Sequence, residues 1–324
     1  MTVPEDEANP MLDAQASGVY LIAATPFTEG GDLDLSGLDQ LIDWYLERGV
    51  DGLTILGQLG EAPKLTFAES LTVARRVLGR AGVPVVVGVS SPGFASLMEL
   101  TRAVMDAGAA GVMVAPPGTL RGDDAILGYC RQLAELLGPI PWVLQDFPLA
   151  GGPPMSAALV RRIAAACANM VVLKHEDWPG LDKITAIRAQ EAAGARRLSI
   201  LCGHGGILLP HELARGADGA MTGFSYPEML VGVCRLMREG QSAAALDLYD
   251  SYLPLVRYEQ QPGLGLAVRK YVLWRRGALP SPSLRAPAPT LTPETVAEID
   301  LLLRRLELDS RTGLQERAKV SRSR

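Results

Sequence analysis

Eight short β-branched runs alternate with longer amphipathic segments between residues 18 and 224, and no other feature limits the possible folds as sharply. The strand candidates are Val19–Ala24, Leu53–Leu56, Val83–Val87, Val112–Ala115, Trp142–Leu144, Val171–Leu173, Ser199–Leu201 and Gly219–Thr222. The segments between them carry helical periodicity. In Phe94–Asp106, for example, Leu97, Leu100, Thr101 and Val104 fall at i, i+3, i+4 and i+7. Strict β-then-α order implies parallel strands joined by right-handed crossovers. Eight such units favour a closed (β/α)8 TIM barrel over an open doubly wound sheet, which usually has fewer strands.

A weak internal repeat agrees. Gly49-Val50-Asp51-Gly52-Leu53, Gly108-Ala109-Ala110-Gly111-Val112 and Gly216-Ala217-Asp218-Gly219-Ala220 each join a helix end to a strand start. The first glycine suits a left-handed helix cap, and the second permits tight entry into the strand. Past residue 224 the strand signals stop. Tyr226–Glu239 completes the eighth unit, and Ala243–Val256, Leu264–Arg276 and Pro293–Leu306 make three additional C-terminal helices. A proline-rich, extended link (Pro280–Pro293) precedes the last one, whose apolar face (Val296, Ile299, Leu302, Leu303, Leu306) must pack on something. The expected organisation is a flexible N-terminal tail (1–17), a barrel (18–240), a helical appendage (241–308) and a disordered basic tail (309–324).

A net charge of −5 offers no basic surface for nucleic acid or anionic membranes. No apolar run approaches the ~18 residues of a membrane span, and the acidic N-terminus lacks an apolar core like a secretory signal's, so a cytoplasmic location is expected. The four cysteines are widely spaced, and His211-Glu212-Leu213-Ala214-Arg215 misses the H-E-x-x-H pattern. Neither a disulfide framework nor a metal site is therefore expected.

In a barrel, chemistry sits where strands end. Here polar, Gly- and Pro-rich residues collect at those ends: Thr25-Pro26-Phe27, Gly57-Gln58-Leu59-Gly60-Glu61, Gln145-Asp146-Phe147-Pro148, Lys174-His175-Glu176-Asp177, Gly203-His204-Gly205-Gly206 and Thr222-Gly223. Lys174 stands out. Of 31 basic residues only five are lysines, and Lys174 alone continues a strand. It shares a face with Met170, Val172 and Glu176, while His175 alternates to the other face. A lysine can lose its proton where an arginine cannot, and a neutral amine attacks a ketone to form an iminium. The opposing reading is a rim lysine paired with Glu176 or Asp177; the residues alone leave both open.

Together these residues resemble the dihydrodipicolinate synthase/N-acetylneuraminate lyase superfamily of Schiff-base (β/α)8 enzymes, from about Gly18 to Leu306. The marks are Thr25-Pro26-Phe27, Gly57-x-x-Gly60-Glu61, the proline after the fifth strand, Lys174 and the segment beginning at Gly203. The resemblance implies an iminium at Lys174, a 2-oxo acid substrate, no separate cofactor, and a homotetramer (or homodimer) in which the C-terminal helices take part. This chain departs from the synthases at four places. Gln58 and Leu59 replace two threonines, Gln145 replaces the acid/base tyrosine, Ala150 stands near the position of a substrate-binding arginine, and Gly118 near that of a neighbouring-subunit tyrosine. Gln-Asp-x-Pro, Lys-x-Glu and Met-Thr-Gly are more similar to the 2-keto-3-deoxy sugar-acid dehydratase branch.

The expected catalytic set is Lys174, Gln145 and Glu176. The expected substrate contacts are the N–H groups of Gln58 and Leu59, with Asp146, Gly203, His204, Thr222 and Thr25. Proton transfer would fall to Glu176, His175, Asp146 or His204, since an amide such as Gln145 can only orient. Glu61 is expected to support its loop. Two other readings compete: a pyruvate-dependent aldolase or synthase using the same lysine, and a catalytically retired barrel that binds a small acid.

Overall fold

The computed structural model describes residues 10–322, with side chains through Leu308. Eight parallel strands close into a barrel in sequential order: β1 (Gly18–Ile22), β2 (Gly52–Ile55), β3 (Val85–Gly88), β4 (Gly111–Val114), β5 (Trp142–Asp146), β6 (Met170–His175), β7 (Ser199–Cys202) and β8 (Gly219–Ala220). Helices α1 (Leu35–Leu46), α2 (Phe67–Leu78), α3 (Phe94–Asp106), α4 (Asp123–Leu137), α5 (Ala157–Ala166), α6 (Leu181–Ala192), α7 (Leu209–Ala214) and α8 (Pro227–Arg238) follow the strands in turn. The appendage is α9 (Ser242–Glu259), α10 (Gly265–Arg275) and α11 (Pro293–Arg322). The chain is therefore a (β/α)8 barrel with three added helices, as the alternation predicts. Among the described residues, no helix is long and apolar enough to cross a membrane.

The repeat glycines work as their chemistry requires. Gly216 has φ +97°, a left-handed conformation that ends α7 without a Cβ penalty. At Gly219 a Cβ would collide with the Gly18 backbone, so only glycine lets β8 and β1 meet and close the barrel.

Two apolar layers form the core. The larger lies between the sheet and its helices. The smaller fills the barrel and includes Tyr20, Ile22, Val86, Met113, Val143, Val172, Leu201 and Met221, together with Leu12 and Ala16. Those last two correct the expected N-terminal boundary. Leu12 donates its N–H to the Ala110 carbonyl (2.8 Å), and the Ser199 hydroxyl bonds to the Ala16 carbonyl (2.7 Å). Apolar side chains at 12 and 16 plug the barrel floor, and the rest of the expected tail (1–9) lies outside the described residues. At the other end, helical backbone continues to Arg322 through a stretch expected to be irregular; Ser323 and Arg324 lie outside the described residues.

The appendage is tied to the barrel by one buried charge cluster. Lys270, fully buried on α10, donates to Glu61 Oε1 (2.6 Å), the Thr25 carbonyl (2.8 Å) and the Ser283 carbonyl (2.9 Å). The other Glu61 oxygen accepts from Lys64 Nζ (2.8 Å) and the Arg285 N–H (3.1 Å). The proline-rich link is thus an anchored strap: Arg285 also donates to the Gly31 carbonyl (2.9 Å) and to Glu69 (2.7 Å). The far end of the strap delivers α11, whose Ile299 and Leu303 join the main core. Burial lowers the Lys270 pKa, and Glu61 opposes that shift. Removing one member of a buried pair strands the other charge. Lys270→Met is expected to cost about 3–5 kcal/mol of stability, read as a drop in the urea midpoint.

Candidate active site

Parallel registry sets up the constellation. Lys174 on β6 pairs in register with Gln145 on β5 and Leu201 on β7, so Gln145 and Lys174 point the same way from adjacent strands. Two residues on, Glu176 returns to the same face. Its Oε2 lies 2.9 Å from Lys174 Nζ and accepts from Gln145 Nε2 at 2.7 Å. Its Oε1 accepts the His204 N–H at 3.2 Å. All three side chains are buried, with Lys174 3% exposed. A carboxylate that accepts two hydrogen bonds and pairs with an ammonium can be held in a site this dry.

The pocket above them is a cavity of about 260 Å³. That is near the lower end of the range for small-molecule sites, so it suits a ligand of a few carbons. Gln58, Leu59, Gln145, Lys174, Glu176, His204 and Thr222 all line it. Gln58 and Leu59 open a short 3-10 turn (Gln58–Gly60), whose leading N–H groups have no earlier carbonyl within the turn. Three non-glycine residues with left-handed φ frame the pocket: Leu56 and Glu61 bracket this turn, and His204 sits opposite. Such conformations persist only where surrounding contacts enforce them.

Three expected substrate contacts lie elsewhere. The Thr25 hydroxyl is buried against the Gly60 carbonyl (2.6 Å), so it braces the 3-10 turn from behind. Asp146 faces away from the cavity and pairs with Lys183 (2.8 Å), 3.8 Å from His175 Nδ1. Alternation along β5 and β6 explains both: Asp146 and His175 occupy the outward positions next to Gln145 and Lys174. Gly203 does not line the cavity either, but a Cβ there would collide with the Glu176 side chain. Glycine at 203 therefore lets the carboxylate curl over the lysine.

His204 lies beside the Trp178 ring at 5.7 Å and meets the Phe147 ring edge-on at 6.0 Å. Burial lowers its pKa while Glu176 pulls it upward, and the net direction leaves a neutral imidazole at pH 7. A neutral ring can accept or donate a hydrogen bond without adding a charge.

The sequence reading missed one whole wall. Glu259, Gln260, Gln261, Leu266 and Arg269, from the α9–α10 corner, also line the cavity. The available signal was Arg269-Lys270, two adjacent cations inside the otherwise apolar run Leu266–Trp274.

Behind β7, on the side away from the pocket, Glu212 is buried against Cys202, and its Oε2 has no hydrogen-bond partner. Burial pushes its carboxyl up to about 7 from 4.5. The fold therefore favours the protonated form. That contribution is fully present below pH 4.5 and is lost as pH rises through 7. Glu212→Gln keeps a neutral side chain at every pH, so its unfolding free energy, read from urea titrations, should gain on the parent's between pH 5 and 8, by up to roughly 3 kcal/mol.

Comparison with known proteins agrees with this architecture over nearly the whole chain. The model of the dihydrodipicolinate synthetase family matches residues 15–306. An L-2-keto-3-deoxyarabonate dehydratase of Azospirillum brasilense is 30% identical, over 90% of this chain and 94% of the relative. A 4-hydroxy-tetrahydrodipicolinate synthase of Sorangium cellulosum is 33% identical, over 76% of this chain and 81% of its own. A crystal structure of dihydrodipicolinate synthase from Rhodopseudomonas palustris superimposes with a TM-score of 0.90 at 51% identity, covering 92% of this chain and all of that one. The structure of YagE from Escherichia coli K12, in complex with pyruvate, gives 0.82 at 27% identity, covering 90% of this chain and 99% of that one. With a closed eightfold barrel, a lysine near the end of its sixth strand and a family match over residues 15–306, the chain belongs to the dihydrodipicolinate synthetase family.

Proposed function

We propose that this lyase condenses Lys174 with the C2 ketone of a 2-oxo acid and acts as a 2-keto-3-deoxy sugar-acid dehydratase. The observation that carries the reading is the buried contact of Lys174 Nζ with Glu176 Oε2 at 2.9 Å, at the base of a cavity sized for a short acid. The L-2-keto-3-deoxyarabonate dehydratase similarity supports the dehydratase branch. So does Gln145, an amide where a synthase carries its tyrosine.

Glu176 accepts a proton from the Lys174 ammonium, and the freed amine adds to the C2 carbonyl. The carbinolamine hydroxyl takes that proton back from Glu176 and leaves as water, which gives the iminium and restores the carboxylate. The iminium acidifies C3–H, and the same carboxylate, beside the imine nitrogen, serves as the base. The resulting enamine expels the C4 hydroxyl as water after protonation, and hydrolysis of the unsaturated imine returns the lysine. Gln145 holds Glu176 through its amide N–H and moves no proton. The substrate carboxylate rests on the N–H groups of Gln58 and Leu59, and His204 and Thr222 contact its hydroxyls. The scheme draws on no metal or organic cofactor.

An aldolase would use the same enamine to break or form the C3–C4 bond, so product analysis separates the two. Incubation with 2-keto-3-deoxy-L-arabonate should yield a dehydrated 2-oxo acid; release of pyruvate would instead establish cleavage. Borohydride in the presence of pyruvate should fix one adduct on the parent chain and none on Lys174→Ala, read by intact mass. If the parent stays unmodified, the imine mechanism is wrong and the retired-barrel reading gains. Glu176→Gln should be trapped more slowly than the parent and lose about 10²–10⁴-fold in kcat, the usual worth of a positioned proton-transfer group.

A further inference from the structure

The α9–α10 wall of the cavity contains a buried arginine with a hydrogen-bonding group to spare. Arg269 is only 4% exposed. Its Nε donates to Glu259 Oε2 at 2.8 Å, and Glu259, itself fully buried, also accepts the Ser225 hydroxyl. Nη1 of the same guanidinium is buried and has no hydrogen-bond partner. It lies 3.2 Å from where a Cβ on Gly223 would stand, a place also touched by the Leu59 side chain. Arg269, Glu259 and Leu59 line the same cavity as Lys174. Leaving a guanidinium N–H unmatched in a dry site costs free energy, and a ligand acceptor would recover it.

The charge pattern narrows that acceptor. Arg269 is balanced by Glu259, and Lys174 by Glu176, so the walls carry no net positive charge beyond the pairs. A second carboxylate placed at Nη1 would lie next to Glu259. A hydroxyl fits better, because it accepts from Nη1 and can donate to a nearby carboxylate or to the amides of Gln260 and Gln261, which share the wall. Gln260 Nε2 is likewise buried without a partner.

We infer that Arg269 recognises the hydroxylated tail of the substrate: its Nη1 donates to a hydroxyl beyond C3 of a 2-oxo acid held at Lys174, and so selects sugar-derived acids over pyruvate and over dicarboxylic 2-oxo acids. The inference rests on imine formation at Lys174. It also gives the appendage a direct part in specificity, from the side of the mouth opposite Ala150.

Borohydride trapping followed by intact mass, titrated separately with pyruvate, 2-oxoglutarate and 2-keto-3-deoxygluconate, tests it. Two variants are compared with the parent: Arg269→Lys, and the paired Arg269→Gln/Glu259→Gln, which leaves no stranded buried charge. The parent should half-saturate with less 2-keto-3-deoxygluconate than pyruvate or 2-oxoglutarate. Both variants should need about tenfold more 2-keto-3-deoxygluconate or beyond, while their pyruvate curves stay within about twofold of the parent's. Equal weakening toward pyruvate, no change toward either ligand, a parent without preference for the hydroxylated acid, or 2-oxoglutarate as the favoured and Arg269-dependent ligand each overturns the assignment. A parent that traps none of the three overturns the imine mechanism itself, a result distinct from any failure confined to Arg269.

Discussion

A carboxylate and an ammonium buried together at the end of β6 set the terms for the rest of the mouth. Taking either charge out of water alone costs several kcal/mol, and the pair is tolerable only when the remaining lone pairs are satisfied. Glu176 meets that condition with the Lys174 amine, the Gln145 amide and the His204 backbone N–H. Each partner comes from a different strand end, so the pair requires β5, β6 and β7 to hold their registers. The absence of a Cβ at Gly203 is part of the same arrangement, since a side chain there would push the carboxylate away from the lysine.

The same device recurs on the opposite side of the barrel. Glu61 accepts from Lys270, Lys64 and the Arg285 N–H, and thereby joins the β2 loop, α10 and the proline-rich strap. Thr25 braces that loop from below. The turn that presents Gln58 and Leu59 to the cavity is consequently held by elements more than 200 residues away in sequence. Two neighbouring cations on α10 divide the work: Lys270 anchors the loop, and Arg269 reaches the pocket. The appendage is thus continuous with the wall of the cavity that holds Lys174.

Much of this was readable in the residues. Strand number and order followed from periodicity, because parallel strands covered by helices are apolar throughout and their spacing is regular. Lys174 and Glu176 could be placed on one face by counting twos. The same counting turns Asp146 away from the pocket, since it neighbours Gln145; only its place at a strand end, where polar residues stand on both faces, groups it with the site. Thr25 and Gly203 were found at the right rim, but their work, bracing and making room, depends on neighbours that no local pattern names. Leu12 and Ala16 were hidden for a similar reason, since two apolar residues in a short polar segment acquire meaning only when a barrel floor lies above them.

What the sequence alone determined is whatever obeys a short period: the barrel, its turns, the apolar strand bodies and a lysine sharing a face with a glutamate two residues on. What only the tertiary structure decided is which distant groups meet. Gln145 and His204 converge on Glu176, Lys270 and Arg285 on Glu61, and Arg269 enters a cavity built by the other end of the chain. The physical reason is that period arises from local backbone geometry, which each residue carries with it. The satisfaction of a buried charge depends instead on whatever the closed fold brings within about three ångströms of it.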